Sequence, residues 1–308
     1  MEASVIFRQM CMIFLLIAVG YAACKRGIVN HQAGKAVSAI VVNICNPALM
    51  LTSVLESGGG ISNGKLLLAT VAGISIYACL LIIGKALPIF LGKDSLERDQ
   101  YTLMTLFGNI GFIGIPVISA VLGAEVLIYV IICNIIFNIL VYTYGRYLVC
   151  RHSGQGAAPS RGVINTGTVV GVACVALFLL KPDLPEVLVK SVDYVGAATT
   201  FLSMMVIGIS LANMPLGKIF REARLYVYIL VRHILIPIAI GWALKFLIND
   251  PEMVGTLVLL VGMPVANLPL MMCEENGVDG TLLSKGIVLS TLFSLVTIPL
   301  VVYGVALS

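Results

Sequence analysis

The stretch Leu106-Phe107-Gly108-Asn109-Ile110-Gly111-Phe112-Ile113-Gly114-Ile115-Pro116 lies inside an apolar run, yet it will not form one regular helix. Three glycines, an asparagine and a proline fall within nine residues. In a helix interior Gly costs about 1 kcal/mol and Pro about 3 relative to Ala. A second stretch, Gly262-Met263-Pro264-Val265-Ala266-Asn267-Leu268-Pro269, has the same character. Each of its prolines removes a backbone donor and crowds a carbonyl one turn back. Unwound backbone within apolar surroundings survives only where protein or a water-filled cavity satisfies it. One such break reads as a kink relieving packing strain. Two at corresponding places, each with an asparagine, read as a binding site between interrupted helices.

The surroundings of these breaks are lipid-like. The 308-residue chain is 59% hydrophobic and only 11% charged, with a mean hydropathy of +1.06. A soluble domain of this size needs far more charge to cover its surface. The net charge of +4 is carried by loops, and no basic stripe with interleaved aromatics points to nucleic acid. Eight scattered cysteines form no C-x-x-C pair, so neither a disulfide framework nor a zinc site is expected. No cofactor is expected. The N-terminal apolar run lacks the basic start of a signal peptide and is read as a retained span.

Runs of about 20 mostly apolar residues suffice to cross a bilayer. The chain offers ten, at 5–24, 35–55, 65–90, 101–122, 125–149, 163–181, 189–212, 224–248, 253–273 and 282–306. Turn chemistry separates them at Gly58-Gly59-Gly60, at Pro182 and Pro185, and at Asn249-Asp250-Pro251. The expected class is an all-α polytopic membrane protein. Lys and Arg set its orientation. Eleven of them (Lys25, Arg26, Lys35, Lys93, Arg98, Arg146, Arg151, Arg161, Lys218, Arg221 and Arg224) fall on one side, against five on the other. The richer side is expected in the cytoplasm, with loop 150–162. Both termini are then extracytoplasmic, in the plasma membrane.

A shift of 154 residues lays five spans over five. Gly108 then falls on Gly262, Met50 on Met204, and Gly123-Ala124-Glu125 on Gly277-Val278-Asp279. An odd number of spans per repeat makes the second copy enter the membrane from the opposite side. The expected domains are therefore two inverted five-helix repeats, 1–154 and 155–308, with spans four and nine broken and crossing. Inverted repeats recur in secondary transporters. At such a crossing two half-helix N-termini, each carrying roughly half a positive charge, face one cavity. With the Asn109 and Asn267 amides they suit a carboxylate, so a small organic anion is the expected substrate. Pro116 and Pro264 are expected to shape the crossing.

Further polar residues within spans are candidates for the same site. Arg232 lies about 12 Å into span eight and must face protein, water or substrate. A structural pairing with helix-end carbonyls, or snorkelling to the cytoplasmic interface, is the alternative. Lys285, one turn into span ten below Ser290 and Thr291, would neutralise an anion or snorkel to the interface. Asn134 and Asn138 share one face of span five. Asn46, before Pro47 in span two, reaches toward the crossing, although asparagines in membrane helices often serve only as interhelical glue.

Several of these stretches together resemble the auxin efflux carrier family. They are Asn43-Ile44-Cys45-Asn46-Pro47-Ala48-Leu49, the run from Gly108-Asn109 to Gly114-Ile115-Pro116, Met263-Pro264-Val265-Ala266, and Leu289-Ser290-Thr291-Leu292 followed by Thr297-Ile298-Pro299. The resemblance covers the whole chain. It implies the five-plus-five inverted fold crossing at its prolines. It further implies a scaffold of spans one, two, six and seven beside a transport unit of spans three to five and eight to ten. Homodimers and elevator-like movement are likewise implied. Prokaryotic members are taken as permeases for malate, malonate or similar acids, and plant members export auxin. Plant members often carry a long hydrophilic central loop, whereas 150–162 is short, which favours the prokaryotic branch.

An intramembrane enzyme would need a nucleophile with its base, or metal ligands. His31 and His152 read as loop residues, and His233 has no helical His or acidic partner, so no enzyme is expected. Two other readings keep the fold. A Na⁺-coupled bile-acid-type symporter would need several oxygen ligands near the crossing, and intramembrane Asp and Glu are scarce. A non-transporting receptor would have little room for signalling output without a soluble domain. Either H⁺ or Na⁺ is left as a coupling ion.

Overall fold

The computed structural model describes residues 3–56, 62–153, 166–180, 184–213 and 222–306. The glycine run 58–60, Pro182, Arg161, Lys181, Lys218, Arg221, Ser308 and positions 154–162 of the central loop lie outside the described residues. Every described regular element is helical: α1 (Ala3–Lys25), α2 (His31–Ile40), α3 (Asn46–Glu56), α4 (Asn63–Leu91), α5 (Ser95–Leu106), α6 (Ile115–Leu122), α7 (Leu127–Leu140), α8 (Arg146–Cys150), α9 (Thr166–Leu180), α10 (Glu186–Asn213), α11 (Ala223–Leu230), α12 (Ile236–Leu247), α13 (Pro251–Gly262), α14 (Leu268–Glu275) and α15 (Thr281–Ala306). Six described helical segments are long and apolar enough to cross a membrane. They are Gln32–Leu55, Asn63–Leu91, Leu127–Cys150, Glu186–Asn213, Ala223–Leu247 and Thr281–Val305. Four shorter apolar helices occupy the other expected runs, at Cys11–Lys25, Ile110–Leu122, Thr166–Leu180 and Pro251–Gly262. Phe90, Leu180, Tyr194, Phe246 and Leu247 stand fully outward, as side chains do where the solvent is lipid. His31 opens α2 rather than lying in a loop.

Four wide π-turns occur, at Val41–Cys45, Ile110–Gly114, Val141–Gly145 and Val231–Leu235; the second opens the helix that follows the break at Phe107–Asn109, and the other three join α-helices end to end. Three of them stand two residues before a proline: Pro47, Pro116 and Pro237. The cause is steric. A proline inside a helix cannot donate to the carbonyl four residues back and its ring presses on it. Widening the preceding turn moves that carbonyl aside, so the helix continues through the proline.

Helix α1 packs along α10, which also contacts α2 and α3, while α3 contacts α9. Glycines make the closest of these approaches. A Cβ on Gly208 would lie 2.1 Å from the Ile17 carbonyl oxygen, and one on Gly20 would lie 2.4 Å from that of Met205. Small residues that let backbones meet replace the missing hydrophobic drive between helices in lipid. Elsewhere α4 lies against α5 and α7, and α13 against α12 and α15.

The two broken segments are built alike. Helices α5 and α13 are both 12 residues long, and both are capped by an aspartate, Asp94 accepting from Glu97 N–H and Asp250 from Met253 N–H. Each is followed, after its break, by an eight-residue α-helix. Turns with a left-handed glycine come next, Gly123 at φ +95° and Gly277 at φ +65°. The register differs from the 154-residue shift: Gly262 is the last residue of α13, whereas Gly108 lies two residues past the end of α5.

Candidate functional site

The breaks meet each other. Beyond α5 the chain is non-helical from Phe107 to Asn109; beyond α13 it is non-helical from Met263 to Asn267. Gly108 and Val265 face one another as an antiparallel bridge. Asn109 N–H donates to the Pro264 carbonyl at 2.7 Å, and Ala266 N–H donates to the Phe107 carbonyl at 2.9 Å. Two unwound segments thus satisfy one another's backbone, as burial requires. Pro264 has no N–H to leave orphaned, and its free carbonyl is the one Asn109 uses. The break of span four is earlier than expected: it is complete by Asn109, and Pro116 sits inside the helix that follows. The π-turn Ile110–Gly114 absorbs the conflict that the glycines and Pro116 create.

Asn109 and Asn267 both occupy N-cap positions of the helices leaving the crossing. Asn109 Oδ1 accepts from Phe112 N–H at 3.1 Å, and its own carbonyl accepts from Gly114 N–H. Asn267 O accepts from Met271 N–H, and its Oδ1 is buried without a hydrogen-bond partner. The two residues line one water-sized crevice with Ile287 and Thr291 of α15 and with Ile207, Ser210 and Leu211 of α10. Ser290, the residue before Thr291, accepts from Val265 N–H at 3.0 Å and donates to Ile287 O. It holds the second break in shape rather than lining the crevice. Asn46 lies beside the crossing: a Cβ on Gly111 would sit 3.3 Å from its Nδ2, and its Oδ1 is buried without a partner.

Arg232 faces the other side. It is 1% exposed, with Nε donating to Thr105 O at 2.7 Å and Nη1 to Val261 O at 2.6 Å. The carbonyl pairing foreseen as its alternative is present. Arg232 also lines a small, mainly apolar chamber with Tyr77, Leu80, Gly108, Cys133 and Leu260. Other candidates are placed apart from the crevice. Asn138 Nδ2 donates to Asn134 O at 2.8 Å within their own helix. Lys285 pairs with Glu222 Oε2 at 3.7 Å. Glu222 also accepts from Arg224, which reaches Glu97 at 2.7 Å and Leu91 O at 2.7 Å. At the opposite end of α4, Lys65 pairs with Asp250 at 2.7 Å. His152 Nε2 lies 2.6 Å from Asp99 Oδ2, which Arg151 also contacts.

Sequence reasoning passed over Ser210 and the apolar residues beside it. A single serine in an apolar helix carries no pattern, and only the packing of α10 against the crossing brings it into the wall. Nor does the sequence distinguish Ser290 from Thr291, which are neighbours with different tasks.

The family model described as membrane transport protein matches residues 5–166 and 165–302, nearly the whole chain. The chain belongs to this membrane transport protein family. It is the family of the auxin efflux carriers, as the quoted stretches suggested. An uncharacterized transporter of Methanocaldococcus jannaschii is 26% identical over 302 residues, covering 94% of this chain and 95% of that protein. One from Methanothermobacter thermautotrophicus is 25% identical over 292 residues, 94% of each. A Rhizobium meliloti protein named as a proposed malonate transporter is 24% identical over 306 residues, covering 94% of this chain and 92% of its own. Members of the membrane transport protein family are membrane transporters, not enzymes, and so is this chain.

Proposed function

We propose that the chain is a secondary transporter of a small organic anion, a carboxylate of the malonate class, working by elevator-type alternating access. The observation that carries this reading is the pair of N-cap asparagines, Asn109 and Asn267, lining one crevice at the meeting of two helix breaks. Helix N-termini each carry roughly half a positive charge, which suits a carboxylate. The Thr291 hydroxyl in the same wall adds a donor for a carboxylate oxygen. The malonate-transport name of one relative agrees with the chemistry.

The other wall of the crevice is α10, which packs on α1, α2 and α3. This favours a scaffold of spans one, two, six and seven, against which a unit of spans three to five and eight to ten slides. The crevice is too small for a dicarboxylate as it stands, so substrate entry on this reading requires the unit to part from α10. The twin 12-residue half-helices, the Asp94 and Asp250 caps, and the Gly123 and Gly277 turns support ten spans in two inverted repeats, 1–154 and 155–308. So does the pairing of Lys65 with Asp250 and Arg224 with Glu97, each joining the start of a long helix to the cap region of the other half's broken span. The eleven-to-five basic count puts both termini outside the plasma membrane, and the family resemblance favours a homodimer.

Within this reading Asn109, Asn267 and Thr291 contact the anion. Pro264 and Ser290 shape the crossing, Pro116 stands within the outgoing helix, and Asn46 approaches the crossing from the scaffold. Asn134 and Asn138 support their own helix, and Lys285 pairs with Glu222 away from the crevice. The test is uptake of radiolabelled malonate by liposomes containing the purified protein. Saturable uptake, displaced by unlabelled dicarboxylates but not by malonamide, is expected. Uptake no faster than in protein-free liposomes for malonate and related acids would end the reading.

A further inference from the structure

The two ends of the interrupted helices do not face the same way. Asn109 and Asn267, at the starts of the outgoing helices, turn to the crevice. The incoming helices α5 and α13 end at Leu106 and Gly262, and the penultimate carbonyl of each, Thr105 O and Val261 O, accepts from Arg232. One guanidinium therefore caps two helix C-termini at once. Among the described residues no carboxylate forms an ion pair with it. Each helix C-terminus carries roughly half a negative charge, so the two together about balance one cation.

In carriers with discontinuous helices, half-helix C-termini and unwound carbonyls are what coordinate a coupling cation. We propose that Arg232 is a tethered cation in that seat, so that the anion is carried without a bound Na⁺ or other metal ion. The proposal rests on the anion-carrier reading and assigns the coupling of that same crossing. A mere brace would not need charge: neutral donors would satisfy both carbonyls without the desolvation cost of a buried guanidinium. The planar fork also fits two divergent carbonyls in a way a compact ammonium does not.

Liposomes containing the purified protein are assayed with radiolabelled malonate in Na⁺ buffer and in N-methylglucamine buffer, alongside thermal melting of the detergent-solubilised protein. Wild-type uptake is expected to be the same in both buffers. Arg232→Ala is expected to lose uptake roughly 10-fold or more, the scale of hydrogen bonds to a charged group. In that variant, Na⁺, Li⁺ or methylguanidinium should raise both residual uptake and melting temperature, with no such response in wild type. Loss of uptake with no cation response in a folded Arg232→Ala protein would mean a brace alone and would overturn the proposal. So would wild-type uptake that requires Na⁺. If Arg232→Ala does not fold, Arg232→Lys decides: it keeps one tethered charge, so its uptake must stay independent of Na⁺. Should wild type move no malonate, the anion reading fails instead, and melting still judges this one. Stabilisation of wild type by Na⁺ over N-methylglucamine would contradict it.

Discussion

Ser290 shows how closely the second break depends on single atoms. Its hydroxyl accepts from Val265 N–H and donates to Ile287 O, both in buried surroundings. Val265 has no helical partner because Pro264 and the bridge to Gly108 keep the chain extended. Ser290→Ala leaves that N–H unpaired, at a cost of about 1–3 kcal/mol. A lower melting temperature is expected for Ala, with Ser290→Cys between Ala and wild type because sulfur is a weak acceptor. Equal melting of Ala and wild type would mean that Val265 finds another acceptor. What the sequence could say at this scale was uneven. Asn109 and Asn267 stood out as polar groups in improbable helix and Thr291 as a polar residue within span ten, and all three line one crevice. Lys285 stood out equally, yet its partner Glu222 lies just before α11, and no sequence spacing relates the two. Arg232 was legible as a buried charge, but which carbonyls it meets depends on where α5 and α13 stop.

Helix α5 begins with a polar turn, and its position depends on that turn. Asp94 caps it, Glu97 accepts from Lys93 N–H, and Arg224 binds Glu97 from the start of α11. The Arg224 guanidinium holds the Glu97 carboxyl below its ordinary value of 4.5; partial burial opposes this, and the Lys93 N–H adds to it. A carboxylate with a depressed folded value contributes stability above its unfolded value and loses it as pH falls through the folded one. Glu97→Gln should therefore melt lower than wild type at neutral pH. The gap should close as pH drops below 4.5, while the Lys65–Asp250 pair remains in both proteins. A gap constant down to pH about 3 would show that the pair is not linked to folding. At this scale the sequence was most legible. Apolar runs located the described helices to within a few residues, except that α5 starts at Ser95 rather than near 101, its charged first turn hiding it from hydropathy. The break near Asn109 was displaced for a related reason: Gly111, Gly114 and Pro116 are poor helix formers, but a π-turn accommodates them without ending the helix.

Across the whole molecule, the crossing separates charge. Helix N-termini and asparagine amides face the crevice against α10, and helix C-termini face Arg232. On the proposed reading, an anion on the first face and a fixed cation on the second leave little net charge in a region shielded from water, which is the arrangement lipid favours. The central claim is that the crevice between Asn109 and Asn267 binds the carboxylate. Its most direct test is initial uptake rate against malonate concentration for Asn109→Ala and Asn267→Ala, at matched amounts of folded protein in liposomes. A lost hydrogen bond to a charged group should raise the half-saturating concentration roughly 10-fold or more in each variant. Wild-type concentration dependence in both would contradict the account.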